Sequence, residues 1–301
     1  MQSTSDIVNN VSKAGVAIPA FNVPYLPMVE PVIRAVVDQD SFALIETARL
    51  EWIKFESRGP AAVMEEFMKW NEPDYVRIHL DHVPVIDENN LRVDYLSIIR
   101  EAIELGYQSV MVDGSRLDLE GNIESTGQVV DLAHKACIPC EAELGAVLGH
   151  EAGPLPPYEE LFKSGRGFTD VKEAERFVRE TGCDWLSVAI GNIHGAVSGA
   201  PKDKKKVEAR LNLEHLEKLR QAIGLPLVLH GGSGVKREYL LAAIKKGIAK
   251  VNIGTEIRQA YESALRESGS VAVAQEAVYD RTCWLIRDYF GLAGTRGLVV
   301  G

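Results

Sequence analysis

The chain has 301 residues, 46% hydrophobic and 25% charged, a composition that supports one large or two small globular domains with a sizeable core. A formal net charge of −10, spread along the sequence, argues against nucleic acid or an anionic membrane surface as the main partner. No apolar run approaches the roughly 20 residues of a membrane span, and the start MQSTSDIVNNVSKAG lacks a signal-peptide pattern, so a cytoplasmic protein is expected.

Taken in order, the apolar runs predict strands at 16–22 (VAIPAFN), 42–46 (FALIE), 75–81 (YVRIHLD) and 107–113 (YQSVMVD). Four more follow at 137–143 (CIPCEAE), 184–190 (DWLSVAI), 226–230 (PLVLH) and 249–254 (AKVNIG). Helical spacing falls between them, near 28–39, 60–70, 94–105, 122–136, 170–182, 212–223, 236–246 and 256–267. Asp170 before VKEAERFV is a start signal, and Gly106, Gly182 and Gly224 after helical runs are stop signals.

Eight βα units predict an α/β protein with a closed (β/α)8 barrel, a single domain over 1–301 with a helical extension from about 270. The alternative, an open doubly wound sheet, usually has fewer units and a Gly-rich first turn, which is missing here. The stretch 144–169, rich in Gly and Pro, is expected to be the longest irregular connection and a functional loop. Four cysteines are too few for a disulfide framework, and Cys137 and Cys140 form a C-x-x-C with no second pair, which reads as strand.

In such a barrel the chemistry gathers where strands end. His82, His194 and His230 each close an apolar run, and three imidazoles with an open coordination position are what a catalytic divalent ion requires. Asp81 beside His82, Asp113 after strand 4 and Glu143 after strand 5 add carboxylates at the same end. Asp81 can face either the substrate or the barrel wall. Strands 6 to 8 deliver HGAVSG (194–199), HGGSG (230–234) and NIGTE (252–256), glycine-rich turns whose N–H groups suit a phosphate, helped by Asn252 and Thr255. A metal beside a phosphate clamp and ringed by carboxylates suits carbonyl chemistry on a small phosphorylated sugar.

The stretches AIPAFNV, HLDH, VMVDGS, the NI-x-x-T of 122–126, CEAELG, AIGNIHG, LVLHGGSG and KVNIGTE resemble the class II, metal-dependent ketose-bisphosphate aldolases in order and spacing. That group contains the fructose-1,6-bisphosphate and tagatose-1,6-bisphosphate aldolases, and the resemblance runs from about residue 15 to 260. It implies that His82, His194 and His230 bind a divalent ion, usually zinc, that Asp81 exchanges the C4 hydroxyl proton, and that Glu151 moves the C3 proton of dihydroxyacetone phosphate. Asp113 and Glu143 would hold a second metal or a monovalent cation. Gly195, Gly231, Gly232, Ser233, Asn252, Ile253, Gly254 and Thr255 would hold the 1-phosphate. A homodimer or homotetramer is also implied by the resemblance.

Several positions depart from the family pattern. Tyr25 and Pro27 stand where an Asn and an acid are usual, and Ala48 replaces a hydroxyl residue after strand 2, within IETARLEW. His150 and Ala152 flank Glu151, and Gly254 replaces the aspartate of the fructose-bisphosphate enzymes. The cleavage machinery reads as complete, while the groups that face the rest of the sugar are rewritten. Fructose 1,6-bisphosphate is the first expectation; another ketose phosphate, or a non-catalytic partner subunit, are the alternatives. Lys202 and Lys204 to Lys206 read as a solvated run, and Lys250 as lying at the start of strand 8, the wrong end for a Schiff base. Glu46 and Arg49 could face the substrate or pair with each other, and Arg296 could reach a distal phosphate in a neighbouring subunit.

Overall fold

The computed structural model describes residues 2–145, 157–192 and 209–300. Eight parallel strands close into a barrel in sequence order. They are β1 (Ile18–Asn22), β2 (Ala43–Ala48), β3 (Val76–Pro84), β4 (Val110–Asp113), β5 (Cys140–Leu144), β6 (Trp185–Val188), β7 (Leu227–Leu229) and β8 (Ile248–Ile253). The expected closed (β/α)8 barrel is therefore present.

The helices are α1 (Thr4–Ala14), α2 (Val29–Asp38), α3 (Arg49–Lys54), α4 (Pro60–Trp70), α5 (Tyr95–Leu105), α6 (Leu119–Lys135) and α7 (Tyr158–Ser164). Then follow α8 (Val171–Thr181), α9 (Leu213–Ile223), α10 (Arg237–Lys245), α11 (Thr255–Ser268), α12 (Val271–Trp284) and α13 (Arg296–Val299). Three of these, α1, α3 and α7, are absent from the periodicity reading, because α3 and α7 span only 6 and 7 residues. The α1 helix had a readable start, in which Ser3 and Asp6 form a reciprocal capping box. The α7 helix also corrects the irregular connection expected over 144–169.

Strand starts fall later than predicted where a turn intervenes. Cys137, at φ 59°, takes the left-handed conformation just after α6, so β5 cannot begin until Cys140. The Cys140 thiol is buried and pushed well above its usual range, first by burial; among the described residues the cysteines are free thiols.

Strand alternation sorts the side chains into two cores. Phe21, Ile45, Ile78, Leu80, Val110, Val112, Leu186, Leu229, Val251 and Ile253 join the cluster between barrel and helices. Ile18, Ala20, Phe42, Leu44, Trp185 and Val228 fill the lower barrel, where Ile7, Val8 and Val11 of α1 and Val299 of α13 close the floor. Each of these fully buried aliphatic side chains contributes roughly 1.5–3 kcal/mol. Above that floor the interior turns polar.

Candidate active site

A break in β3 places two adjacent side chains at the mouth of the barrel. In a regular strand Asp81 and His82 would point to opposite faces. Here Leu80 pairs with Val110 and Val83 with Val112, so β3 advances three residues while β4 advances two. The extra residue is absorbed at a bulge in which His82 takes φ 33°. Asp81 and His82 consequently line the same cavity of about 450 Å3, together with Asn22, Asp113, Glu143, His230, Gly231, Ser233, Asn252, Gly254 and Thr255.

Asp81 is buried and gripped by two amides: Asn22 Nδ2 donates to Oδ2 at 2.9 Å and Asn252 Nδ2 to Oδ1 at 3.0 Å. Burial alone would raise its carboxyl, but His82, His230, Lys250 and His79 outweigh that and hold it well below the usual carboxylate range. Asp81 is therefore an oriented, ionised carboxylate.

The His82 and His230 rings meet edge to face with centroids 4.4 Å apart. Ligand atoms of Asp81, His82 and His230 lie within 4.8 Å of one another, as do those of His82, Asp113 and Glu143. His82 Nδ1 is 3.5 Å from Asp113 and its Nε2 is 3.8 Å from Glu143. Burial opposes a charge on His82, yet Asp81, Asp113 and Glu143 push it up to about 10. Glu143 moves the other way, raised well above its usual range by burial and then by Asp113. A site that draws protons onto an imidazole and a carboxylate in this manner has an excess of anionic donors. Imidazole nitrogens and carboxylate oxygens fit a divalent ion of the zinc type.

The ring of His230 is fixed from behind. Its Nε2 donates to Glu141 Oε1 at 2.7 Å, which leaves Nδ1, 3.5 Å from Asn252 Nδ2, as the nitrogen with a lone pair to offer. Glu141 is kept ionised against burial mainly by Lys250, whose Nζ lies 2.8 Å from both Glu141 Oε2 and Glu46 Oε1. This corrects two expectations. Lys250 sits inside the barrel in the middle of β8, fully buried, and burial is overcome by its two carboxylates, so it stays protonated and cannot act as a Schiff-base amine. Glu46 pairs with Lys250 and not with Arg49, which instead lies 3.5 Å from Asp87. Glu46, His79 and Asp81 also cluster, but the Lys250 ammonium already fills the place of a cation there.

The turns after β7 and β8 bring Gly231, Ser233, Asn252, Gly254 and Thr255 to the cavity wall. Ser233 is buried, and its hydroxyl has no hydrogen-bond partner among the described residues. Thr255 opens α11, whose N-terminus points its free N–H groups toward the cavity. Gly232 is required for close approach: a Cβ there would lie 2.5 Å from Val251 and 3.0 Å from the Asn252 carbonyl. A Cβ at Gly254 would come within 3.2 Å of Asn22, the amide that holds Asp81. The side chain of Ile253 packs outward in the core, so its contribution to a clamp is limited to backbone.

Sequence reasoning missed the bracing groups. Asn192 accepts from Ile190 N and donates to the His230 carbonyl at 3.1 Å, tying the mouths of β6 and β7 together. Asn122 donates to the Glu143 carbonyl at 3.0 Å and accepts from Thr126, which explains the NI-x-x-T stretch as scaffolding. A Cβ on Gly114 would overlap Asn122 at 2.2 Å, which explains the glycine in VMVDGS. His194, Gly195, His150, Glu151, Ala152, Lys202 and Lys204 to Lys206 lie outside the described residues.

Residues 2–290 match the family model described as class-II fructose-bisphosphate aldolase. A fructose-bisphosphate aldolase of Streptococcus pneumoniae serotype 4 is 36% identical over 286 residues, covering 93% of this chain and 87% of that protein. One from Streptococcus pyogenes serotype M3 is 35% identical, covering 92% and 87%. Among solved structures, the YdjI aldolase of Escherichia coli K12 is 30% identical with a TM-score of 0.76, over 98% of this chain and 100% of that one.

Proposed function

The chain belongs to the class II fructose-bisphosphate aldolase family, a family of carbon–carbon lyases, and from that premise we propose the following assignment of its site. His82 and His230, with His194, hold a catalytic divalent ion, zinc by the donor chemistry. Bound there, such an ion supplies Lewis acidity to the carbonyl oxygen of a ketose phosphate. Asp113 and Glu143 offer a neighbouring position for a second metal or a monovalent cation. Gly195, Gly231 to Ser233, and Asn252 to Thr255 hold the 1-phosphate.

The reaction is a reversible retro-aldol cleavage. Asp81 takes the proton of the C4 hydroxyl, the C3–C4 bond breaks, its electron pair passes to C3 and the carbonyl, and C4 leaves as the aldehyde. Glu151 then returns a proton to C3 to complete dihydroxyacetone phosphate. The observation that carries this reading is the bulge in β3, which turns a carboxylate gripped by two amides toward the same cavity as His82 and His230.

Fructose 1,6-bisphosphate is the first substrate to test. The protein, purified with metal, is expected to release dihydroxyacetone phosphate from it, and a chelator is expected to stop the release. Ala48 and Gly254 favour a second reading, in which tagatose 1,6-bisphosphate or another ketose 1-phosphate is the better substrate. Failure to bind any divalent ion would favour the remaining alternative, a non-catalytic partner subunit. A cytoplasmic homodimer or homotetramer is part of the proposal, supported by family membership and read out by the mass in solution.

A further inference from the structure

With Asp81 assigned to the C4 hydroxyl, the next carbon of the ketose, C5, must lie beside Asp81 at the mouth of the barrel. β2 pairs with β3 so that Ala48 stands level with Asp81, one strand spacing of roughly 4.8 Å away. Ala48 carries only a methyl group, so β2 itself offers no polar side chain at that level. The α3 helix follows at once, and Arg49 and Glu51 from it reach the cavity.

Glu51 folds back over the start of its own helix. Its Oε2 accepts from Ala48 N at 2.9 Å, a bond that closes the first turn of α3 and fixes the carboxyl beside Ala48. The Thr47 hydroxyl is close enough to act on that carboxyl but forms no hydrogen bond among the described residues. Glu51 is 9% exposed and lines the cavity, so Oε1 remains for a ligand there.

The surroundings keep this carboxyl neutral. Arg49 lies 3.5 Å from Asp87 and Lys54 3.3 Å from Glu88, while Arg258 donates to both oxygens of Glu262 at 2.9 and 2.8 Å. Each of these cations is thus paired with another carboxylate. The cavity wall around Glu51 is apolar, made by Pro24, Leu50, Phe55 and Ile86. Burial, with the Asp81 charge added, outweighs the Ala48 N–H, the Thr47 hydroxyl and His82 and pushes Glu51 up to about 8. A neutral carboxyl both donates and accepts, and so can hold an alcohol without setting a second negative charge beside Asp81.

We propose that Glu51 is a specificity-determining residue that holds the C5 hydroxyl of the ketose, so that the aldehyde half is a 2-hydroxyaldehyde. The hydroxyl on C2 of the aldehyde becomes the C5 hydroxyl when the carbon–carbon bond forms. An aldehyde without it leaves the Glu51 carboxyl unpaired against an apolar wall, and a buried polar group rejects such an analogue. This inference rests on the aldolase reading of the site.

The test runs the reaction toward bond formation, with the metal-loaded full chain, dihydroxyacetone phosphate, and either glyceraldehyde or 3-hydroxypropanal, which lacks the 2-hydroxyl. A second readout, exchange of the dihydroxyacetone phosphate C3 proton with deuterium, involves no aldehyde. Wild-type protein should prefer glyceraldehyde in kcat/KM by on the order of 10- to 100-fold. In Glu51→Met that preference should shrink to about threefold or less, with C3 exchange and metal content kept within about twofold. Glu51→Gln retains an acceptor for Ala48 N and a donor for the cavity, and should keep most of the preference. Glu51→Asp withdraws the carboxyl by one methylene and should lose part of it, which covers the case of a Met variant that does not fold. Equal use of the two aldehydes by wild type, or an unchanged preference in Glu51→Met or Glu51→Asp, overturns the inference and leaves the aldolase reading intact. A folded Met variant that loses C3 exchange as steeply as bond formation also overturns it, since Glu51 would then serve the site as a whole. Wild-type protein that neither exchanges the C3 proton nor joins either aldehyde would overturn both.

Discussion

The two ends of the barrel are built from the same strands and do opposite work. At the floor, Ile18, Ala20, Phe42, Leu44, Trp185 and Val228 pack under α1. One or two steps up the same strands stand Asn22, Glu46, Ser187 and His230, and with them His79, Asp81, Glu141, Lys250 and Asn252, all buried. Burial stabilises the first set and would penalise the second, were the charges not matched: Lys250 between two carboxylates, Asp81 between two amides, Glu141 against His230. The floor thus supplies stability that lets the mouth hold groups in strained or charged states. Substitutions at the mouth should therefore strike function first, and those at the floor should strike stability alone.

The largest effect is expected from His230→Ala or His82→Ala. Each removes an imidazole from the donor cluster and should abolish both metal retention, read by metal analysis after dialysis, and turnover. Asp81→Ala comes next. It should keep bound metal while cleavage falls by roughly 10²–10⁴-fold, the usual worth of a positioned proton acceptor. Near wild-type cleavage in that variant would remove Asp81 from the proton-transfer role.

Phe42→Ala tests the floor. Phe42 is 1% exposed, and its truncation should cost roughly 3–5 kcal/mol of unfolding free energy with kcat unchanged below the lowered melting temperature. A large fall in kcat at a temperature where the variant is folded would show that floor and mouth are coupled, against the division drawn above.

A smaller, pH-dependent effect is expected at the boundary between the two regions. Glu51 titrates in the folded chain at about 8, against 4.5 when unperturbed, raised first by burial and also by Asp81. Between those values the folded state binds the extra proton, so the stability it confers is complete below 4.5 and is lost as pH rises toward 8. Relative to Glu51→Gln, the wild-type unfolding free energy should decline across that window with a slope on the order of 1 kcal/mol per pH unit. Parallel curves for the two proteins would mean that Glu51 is ionised in the fold.

How much of this was legible in the sequence follows from what each feature depends on. Strand ends were readable because an apolar run that stops at a polar residue is a local pattern, and it located Asp81, His82, Asp113, Glu143 and His230 at one face. The bulge was not readable, since nothing in HLDH says which residue will be extra; pairing with β4 decides it. Lys250 was misplaced for a related reason. A strand read from apolarity alone puts a lysine at its edge, because the partners that let it be buried, Glu46 and Glu141, are distant in sequence. Asn122 and Asn192 looked like ordinary polar residues because their partners are backbone carbonyls of other strands.

Arg296 gives the smallest expected effect and the sharpest contrast between ends. Its place near the C-terminus suggested a reach toward a distal phosphate, but its Nε donates to Asp40 at 2.9 Å and its guanidinium lies over the Tyr75 ring at 4.9 Å. Its backbone N–H also donates to the Asp40 carbonyl at 3.0 Å. Asp40 precedes β2 and Tyr75 precedes β3, so Arg296 is fastened at the floor of its own barrel, at the end away from Asp81, His82 and His230. Arg296→Ala should accordingly leave KM and kcat for fructose 1,6-bisphosphate within about twofold of wild type, as for an ordinary surface substitution. A several-fold rise in KM would place this arginine at a neighbouring subunit's mouth, and the separation of floor from mouth would then hold only within one chain.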